Sequence, residues 1–266
     1  MAEPAKMSVD ELRNLFDLTG KVAVVTGGGG ALGQALAKGF AVYGADVAVV
    51  DLKTELMDNI VSEITALGRK AKPYACNVAD EPSVQGAIDG VAKDFGKIDI
   101  LTTTAGIGGN RQPAETFDMN EWQKVQDINV RGTLLCAKHA GGYMIKQGGG
   151  KIITIGSVRG FLGHPGGYAG YGVSKGAVHL LTKQLATEWA KYHINVNSIA
   201  PAIFWTPLTQ QILDDKKMYD LFMQRIPWGR AAIPDDFVGA AVYLASRASD
   251  FVTGLILSVD GGAVSG

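Results

Sequence analysis

Residues 22–33 read Val22-Ala23-Val24-Val25-Thr26-Gly27-Gly28-Gly29-Gly30-Ala31-Leu32-Gly33, and the order of residue types in this stretch decides the fold. The run Val22–Thr26 has the composition of a buried strand, and four consecutive glycines end it before a helix starts at Ala31. Glycines between strand and helix let the backbone turn tightly. They also let a pyrophosphate approach main-chain N–H groups at the helix N-terminus, where the helix dipole favours negative charge. A bare strand-to-helix turn has the same glycines, so the residues further out must decide between the two.

Moving outward, the same alternation repeats. Strands are expected at Val22–Thr26, Val47–Asp51, Ala71–Cys76, Ile98–Thr103, Lys151–Gly156, Asn195–Ile199 and Leu255–Val259, and helices at Ala31–Tyr43, Thr54–Leu67, Pro82–Phe95, Asn120–Gln147, Tyr171–Tyr192 and Pro234–Ala245. β-branched runs alternating with stretches of 3.6-residue apolar spacing give an α/β chain. The expectation is a single doubly wound, Rossmann-type domain over residues 18–266, with a seven-stranded parallel sheet and helices on both faces. Residues 1–17 read as an N-terminal extension, with Leu12, Leu15 and Phe16 docking against the body.

Composition narrows the function. Glycine accounts for 35 of 266 residues, well above the usual usage of about 7%, yet without the three-residue period of collagen. With 47% hydrophobic and 19% charged residues, the chain can bury a large core, which excludes disorder. A net charge of −1 with no basic block argues against nucleic acid or an anionic membrane as partner and for a small-molecule substrate. Cys76 and Cys136 are too few for a disulfide framework, and no Cys/His spacing suggests a metal. No signal-like or membrane-spanning run is present, so a cytoplasmic protein is expected.

Two constellations carry chemistry. The second strand ends at Asp51, eighteen residues beyond Gly33, near the spacing of a carboxylate that accepts hydrogen bonds from an adenosine ribose diol and repels a 2′-phosphate. That favours NAD over NADP, although Lys53 softens the discrimination, and the alternative role for Asp51 is to cap the next helix. The strand Lys151–Gly156 runs into Ser157, and fourteen residues later stands Tyr171-Gly172-Val173-Ser174-Lys175. Tyrosine and lysine at i and i+4 share a helix face. A phenol titrates near 10, and a nearby ammonium favours the phenolate, which suits a general acid/base acting on an alcohol or ketone.

With these motifs the chain resembles the short-chain dehydrogenase/reductase family from Leu18 to Gly262, most of all its gluconate 5-dehydrogenase and sugar-alcohol branch. The glycine turn matches TGxxxGxG with Ala31 for the middle glycine, and Tyr171 to Lys175 matches YxxxK. Asp127-Ile128-Asn129-Val130, Ile155-Gly156-Ser157, Asn195 to Pro201 and Val259 to Gly262 match further signatures.

The resemblance implies catalytic roles for four residues. Tyr171 is the general acid/base, Lys175 holds the nicotinamide ribose and lowers the tyrosine pKa, Ser157 orients the substrate oxygen, and Asn129 anchors a relay water. It implies that NAD is bound by Gly27, Gly30, Ala31, Leu32, Gly33, Asp51, Leu52, Asn77, Val78, Thr104, Ala105, Gly106, Tyr171, Lys175, Pro201, Ile203 and Thr206. It also implies a mobile lid at about 204–228 and a homotetramer built on Arg131–Gln147 and Tyr171–Tyr192, whose Val178, Leu181 and Leu185 face either a partner or the sheet.

Three departures stand out: Thr103-Thr104-Ala105-Gly106 replaces NNAG, Ala202 replaces a glycine after Pro201, and the Ser157–Tyr171 interval is one residue longer than usual. Tyr168 has Gly172 four residues on and is read as pocket lining or a loop anchor. Arg111 and Arg159 lie in loops after strand ends and are candidates to bind a substrate anion beside Ser157 and Tyr171; solvated arginines are the alternative. His164 and Trp205 are further candidates for the pocket.

The expected activity is NAD(H)-dependent interconversion of a secondary alcohol and a ketone on a sugar, sugar acid or polyol. The alternatives are an NADPH-dependent carbonyl or 3-oxoacyl-thioester reductase and a silent NAD-binding regulator. The glycines concentrate at 27–33, 106–109 and 156–176, where backbone is expected to approach a dinucleotide or bend around a substrate.

Overall fold

The computed structural model describes residues 6–207 and 209–265. Seven strands form one sheet: β1 (Val22–Thr26), β2 (Asp46–Asp51), β3 (Ala71–Ala75), β4 (Ile100–Thr103), β5 (Gly150–Ile155), β6 (Ile194–Pro201) and β7 (Ile256–Val259). The order is β3-β2-β1-β4-β5-β6-β7, every neighbouring pair is parallel, and the chain reverses its direction of growth between β1 and β4. Ligands of such sheets bind at that reversal, beyond the carboxyl ends of the strands.

The helices are α1 (Val9–Arg13), α2 (Ala31–Val42), α3 (Asp58–Ala66), α4 (Glu81–Phe95), α5 (Met119–Gln126), α6 (Gly132–Gln147), α7 (Ala169–Trp189), α8 (Gln210–Asp214), α9 (Lys216–Met223) and α10 (Val238–Ala245). Strand alternation divides the core in two. Ala23, Val25, Val47 and Val49 point to one face and pack with Phe40 of α2, Ile64 of α3 and Val242 of α10. Val22, Val24, Ala48 and Val50 point to the other, against Ile88 of α4, Met144 of α6 and Leu185 of α7. Burial on both faces explains why β1 and β2 read as unbroken apolar runs.

Several expectations change. The helix expected over Asn120–Gln147 is interrupted by a π-helical turn, Asp127–Arg131; one wide turn of this kind re-aims side chains and occurs often at functional sites. The helix α7 starts at Ala169, so Tyr171 lies inside its first turn. Strand β4 begins at Ile100, two residues later than expected, and β5 at Gly150. In the extension, α1 forms under a capping box between Ser8 and Glu11, but Leu12 and Phe16 are exposed. What ties this segment down is polar: Ala248 N donates to Leu15 O at 3.2 Å and Arg247 lies 3.8 Å from Glu11. Val178 and Leu185 are buried within the chain, so they do not face a partner. In the segment 204–228, where a lid is expected, Leu208 lies outside the described residues, and α8 and α9 supply Leu213, Tyr219 and Phe222 to a small third cluster with Ile203 and Ile226. Among the described residues no helix is long and apolar enough to cross a membrane.

Candidate active site

The first cavity, about 360 Å³, opens where β1 and β4 part. The turn after β1 is possible only with glycine at two points. Gly27 has φ +63°, and a Cβ on Gly33 would lie 2.1 Å from Gly27 O, so the first turn of α2 sits directly on the turn backbone. Gly30 caps α2 with no side-chain hydrogen bond, which leaves the helix N-terminus open for an anion. Asp51 does not cap the following helical turn, whose N-cap is Lys53. Its carboxylate accepts from Gly29 N at 2.9 Å and Leu52 N at 2.7 Å, one bond per oxygen, so each oxygen keeps a lone pair for a ribose hydroxyl.

Gly27, Gly30, Ala31, Leu32, Gly33, Asp51 and Leu52 all line this cleft, as do Asn77, Val78, Thr104, Ala105, Gly106 and Thr206. Pro201 is the last residue of β6, and Ile203 lines the neighbouring pocket instead. These residues fit a dinucleotide: an uncapped helix end for a pyrophosphate, a fixed carboxylate for a ribose, and Val78 with Leu52 as apolar walls for a base. The hydroxyls of Thr103 and Thr104, which replace the usual asparagines, are buried without partners. The tie across this turn comes from Thr26, whose hydroxyl donates to Thr102 O at 3.3 Å and accepts from Ala105 N at 3.4 Å.

The second cavity, about 250 Å³, is lined by continuations of two segments that line the first. Gly106 and Ile107 line the cleft while Gly108 and Gly109 line the pocket; Thr206 lines the cleft while Thr209 lines the pocket. Ser157 and Tyr171 form its inner wall. Ser157 is buried at the end of β5, its hydroxyl accepts from Arg159 N at 3.1 Å, and its N–H faces His179 Nε2 at 3.4 Å. A Cβ on Gly156 would lie 2.2 Å from that ring nitrogen, so glycine is what lets His179 pack under the serine. Burial, helped by Lys175 and Lys183, pushes the pKa of His179 down to about 4, leaving a neutral ring that can accept from Ser157 N–H.

Lys175 is buried, donates from Nζ to Ile155 O at 2.7 Å, and lies 5.7 Å from the Tyr171 ring centroid. Burial lowers its pKa to about 8. The Lys175 ammonium is not among the groups that shift Tyr171. Burial raises Tyr171 above the ordinary phenol value, and the groups that pull it back are the Ser157 hydroxyl and the Arg159 guanidinium. Asn129, on the π-turn, donates to Ile107 O at 2.9 Å and Ser174 Oγ at 3.0 Å and accepts from Ile107 N at 2.9 Å. Both its N–H donors are used, so one Oδ1 lone pair remains to hold a water.

The outer pocket wall is cationic. Arg111 and Arg159 lie over the Tyr168 ring, with Cζ 4.9 and 5.5 Å from its centroid. Tyr168 is therefore pocket lining, and His164 packs edge-on against it at 4.9 Å. Trp205 does not line the pocket. Sequence reasoning missed Phe222 and Arg225, which reach the same pocket from the end of α9. The available signal was charge spacing. Lys216 in this segment has Asp220 at i+4, whereas Leu221 and Phe222 stand one helical turn before Arg225, leaving it without a local partner.

Comparison with known proteins agrees with this geometry. Residues 29–264 match the family described as Enoyl-(Acyl carrier protein) reductase. A solved short-chain type dehydrogenase/reductase from Mycobacterium marinum superposes with a TM-score of 0.92 at 36% identity, covering 96% of this chain and 100% of that one. The chain belongs to the short-chain dehydrogenase/reductase family. Within it, gluconate 5-dehydrogenase from Gluconobacter oxydans is 39% identical over 249 residues, 94% of this chain and 96% of that protein. A solved gluconate 5-dehydrogenase from Burkholderia cenocepacia, in complex with NADP and tartrate, is 38% identical with a TM-score of 0.91, covering 95% and 98%. As a short-chain dehydrogenase/reductase, the chain is an oxidoreductase of a nicotinamide-dinucleotide-binding family.

Proposed function

We propose that this short-chain dehydrogenase/reductase interconverts a secondary alcohol and a ketone on a sugar acid or related polyol, with NAD(H) as partner. The observation that carries the reading is that the same two chain segments line a cleft suited to a dinucleotide and, further along, a pocket walled by Tyr171 and Ser157. Bound nicotinamide supplies the hydride acceptor or donor. The chain supplies position and proton transfer. Tyr171 takes the proton of the substrate hydroxyl, or returns it in the reverse direction, and the Ser157 hydroxyl orients the reacting oxygen. Lys175, which donates to Ile155 O, would hold the nicotinamide ribose and set its ammonium near the Tyr171 phenol. A water on Asn129 Oδ1 carries the proton onward. Arg111 and Arg159 hold the substrate carboxylate.

Support for an acidic polyol comes from the two guanidiniums and from the gluconate 5-dehydrogenases among the relatives. Support for NAD is Asp51, whose fixed carboxylate repels a 2′-phosphate. NADP bound to the Burkholderia relative, together with Lys53, favours the second reading, an NADPH-dependent carbonyl or 3-oxoacyl-thioester reductase. Assembly is proposed as a tetramer through α6 and α7, whose exposed Leu134, Val173 and Leu180 are available to a partner.

The test is initial rates with NAD⁺ and NADP⁺ separately on a panel of sugar acids, polyols and cyclic alcohols. A kcat/KM at least tenfold higher with NAD⁺ on a sugar acid is expected. A strong NADP preference overturns the role given to Asp51.

A further inference from the structure

The chain contains eight arginines, all within the described residues. Four have carboxylate partners: Arg13 with Asp10, Arg69 with Asp46, Arg230 with Asp236 and Arg247 with Glu11. Arg131 donates to Ala79 O. The three left over are Arg111, Arg159 and Arg225, and all three line the Tyr171 pocket. Among the described residues, none of the three has a carboxylate within 4.0 Å, and no Asp or Glu lines the cavity.

They come from three separate segments: the loop after β4, the loop after β5, and the residues after α9. No local helix or turn requirement brings them together. The like charges oppose one another, since Arg225 and Arg111 both disfavour the charged form of the half-buried Arg159. His164 supplies no counter-charge: Gly166 N donates to its Nδ1 at 3.0 Å, so the ring is neutral with Nε2–H as a donor, and burial and the three arginines lower its pKa further.

A monocarboxylate is satisfied by one or two guanidiniums in bidentate contact, and Arg111 with Arg159, both braced on Tyr168, already provide that pair. Arg225 is then surplus, and its repulsion is uncompensated. We infer that the pocket takes a polyhydroxy substrate bearing two anionic groups, the first held by Arg111 and Arg159 and the second by Arg225, which follows α9. The inference rests on the acidic-polyol reading above and narrows it to dianions, whether dicarboxylates or phosphorylated sugar acids.

The experiment compares kcat/KM, with NAD⁺ or NADP⁺ as the chain prefers, for D-gluconate, D-glucarate and 6-phospho-D-gluconate, on the unaltered chain and on Arg225→Gln and Arg225→Lys. Arg225 is exposed, and thermal melting checks that the variants fold. The unaltered chain is expected to favour at least one dianion over D-gluconate by tenfold or more. Arg225→Gln should reduce that ratio at least tenfold, and Arg225→Lys should restore part of it. Which dianion wins tells a carboxylate from a phosphate as the second group. Equal or better turnover of D-gluconate than of both dianions overturns the inference and leaves the sugar-acid reading standing, as does an Arg225→Gln chain with an unchanged ratio. Turnover of neutral D-sorbitol with none of the three acids overturns both.

Discussion

The two cavities are made by different means. The polar features of the dinucleotide cleft are set by backbone: a glycine turn, an uncapped helix end, and a carboxylate pinned by two N–H groups. The substrate pocket is long side chains on loops, three guanidiniums and an aromatic ring that touches two of them. Backbone geometry tolerates almost no substitution where a Cβ would collide. Charged side chains on loops can be exchanged with the fold intact. The cleft is therefore suited to one invariant partner, and the pocket to a substrate that differs among related enzymes.

Tyr171 lines the pocket beside Ser157, and the largest effect is expected there. Tyr171→Phe removes the proton carrier while keeping the ring, and should lower kcat by 10²–10⁴, the usual contribution of general acid/base catalysis. A loss below about tenfold in steady-state rates would remove Tyr171 from that role. The next effect is in stability. The folded pKa of Lys175, about 8, lies below the 10.5 of a free lysine. Between these values the unfolded chain holds more protons, so stability rises with pH across that window. Below pH 8 the buried ammonium is a net burden. Lys175→Met should abolish a rise on the order of 3 kcal/mol, seen as the difference between denaturation free energies of the two chains at pH 8 and pH 10.5. Parallel pH profiles would show that the buried ammonium is already compensated.

A cleft made of backbone should also be the more brittle of the two. In Gly33→Ala the new methyl meets Gly27 O at 2.1 Å, and relief requires the turn to move. Overpacking of this kind costs about 1–3 kcal/mol. The expected result is a lower melting temperature and NADH binding weakened roughly tenfold or more, read by fluorescence titration. Unchanged NADH affinity would mean that the turn can relax without losing its N–H geometry.

The same contrast explains what was legible in the sequence. The strands and the cleft turn followed from local rules: β-branched runs mark β1 and β2, and glycine after a strand marks the turn, because these features depend on neighbours along the chain. The π-turn that carries Asn129 left no trace in apolar spacing, since residues on both sides keep helical periodicity. The burial of Val178 and Leu185 inside the chain needed the packing of α7 against the sheet. Arg225 was overlooked because a pocket drawn from three loops has no spacing of its own, and its only trace was a missing acid one turn away. The rise in the Tyr171 pKa depends on how deeply the first turn of α7 is enclosed, which residue identity does not encode.

The smallest effect sharpens the comparison most, because it separates two tyrosines three residues apart. Tyr168 carries Arg111 and Arg159 on its ring but has no lysine four residues on, only Gly172. Its contribution should be positional: each cation–π contact at a partly exposed site is worth about 0.5–1 kcal/mol. Tyr168→Leu should raise KM for a sugar acid about three- to tenfold with kcat little changed, while Tyr168→Phe, which keeps the ring face, should stay near the unaltered chain. The two tyrosines then give opposite signatures, kcat for Tyr171 and KM for Tyr168. If Tyr168→Phe instead depressed kcat, the hydroxyl of Tyr168 would be taking part in proton transfer, and the division between a fixed catalytic wall and an exchangeable recognition wall would fail at the residue that joins them.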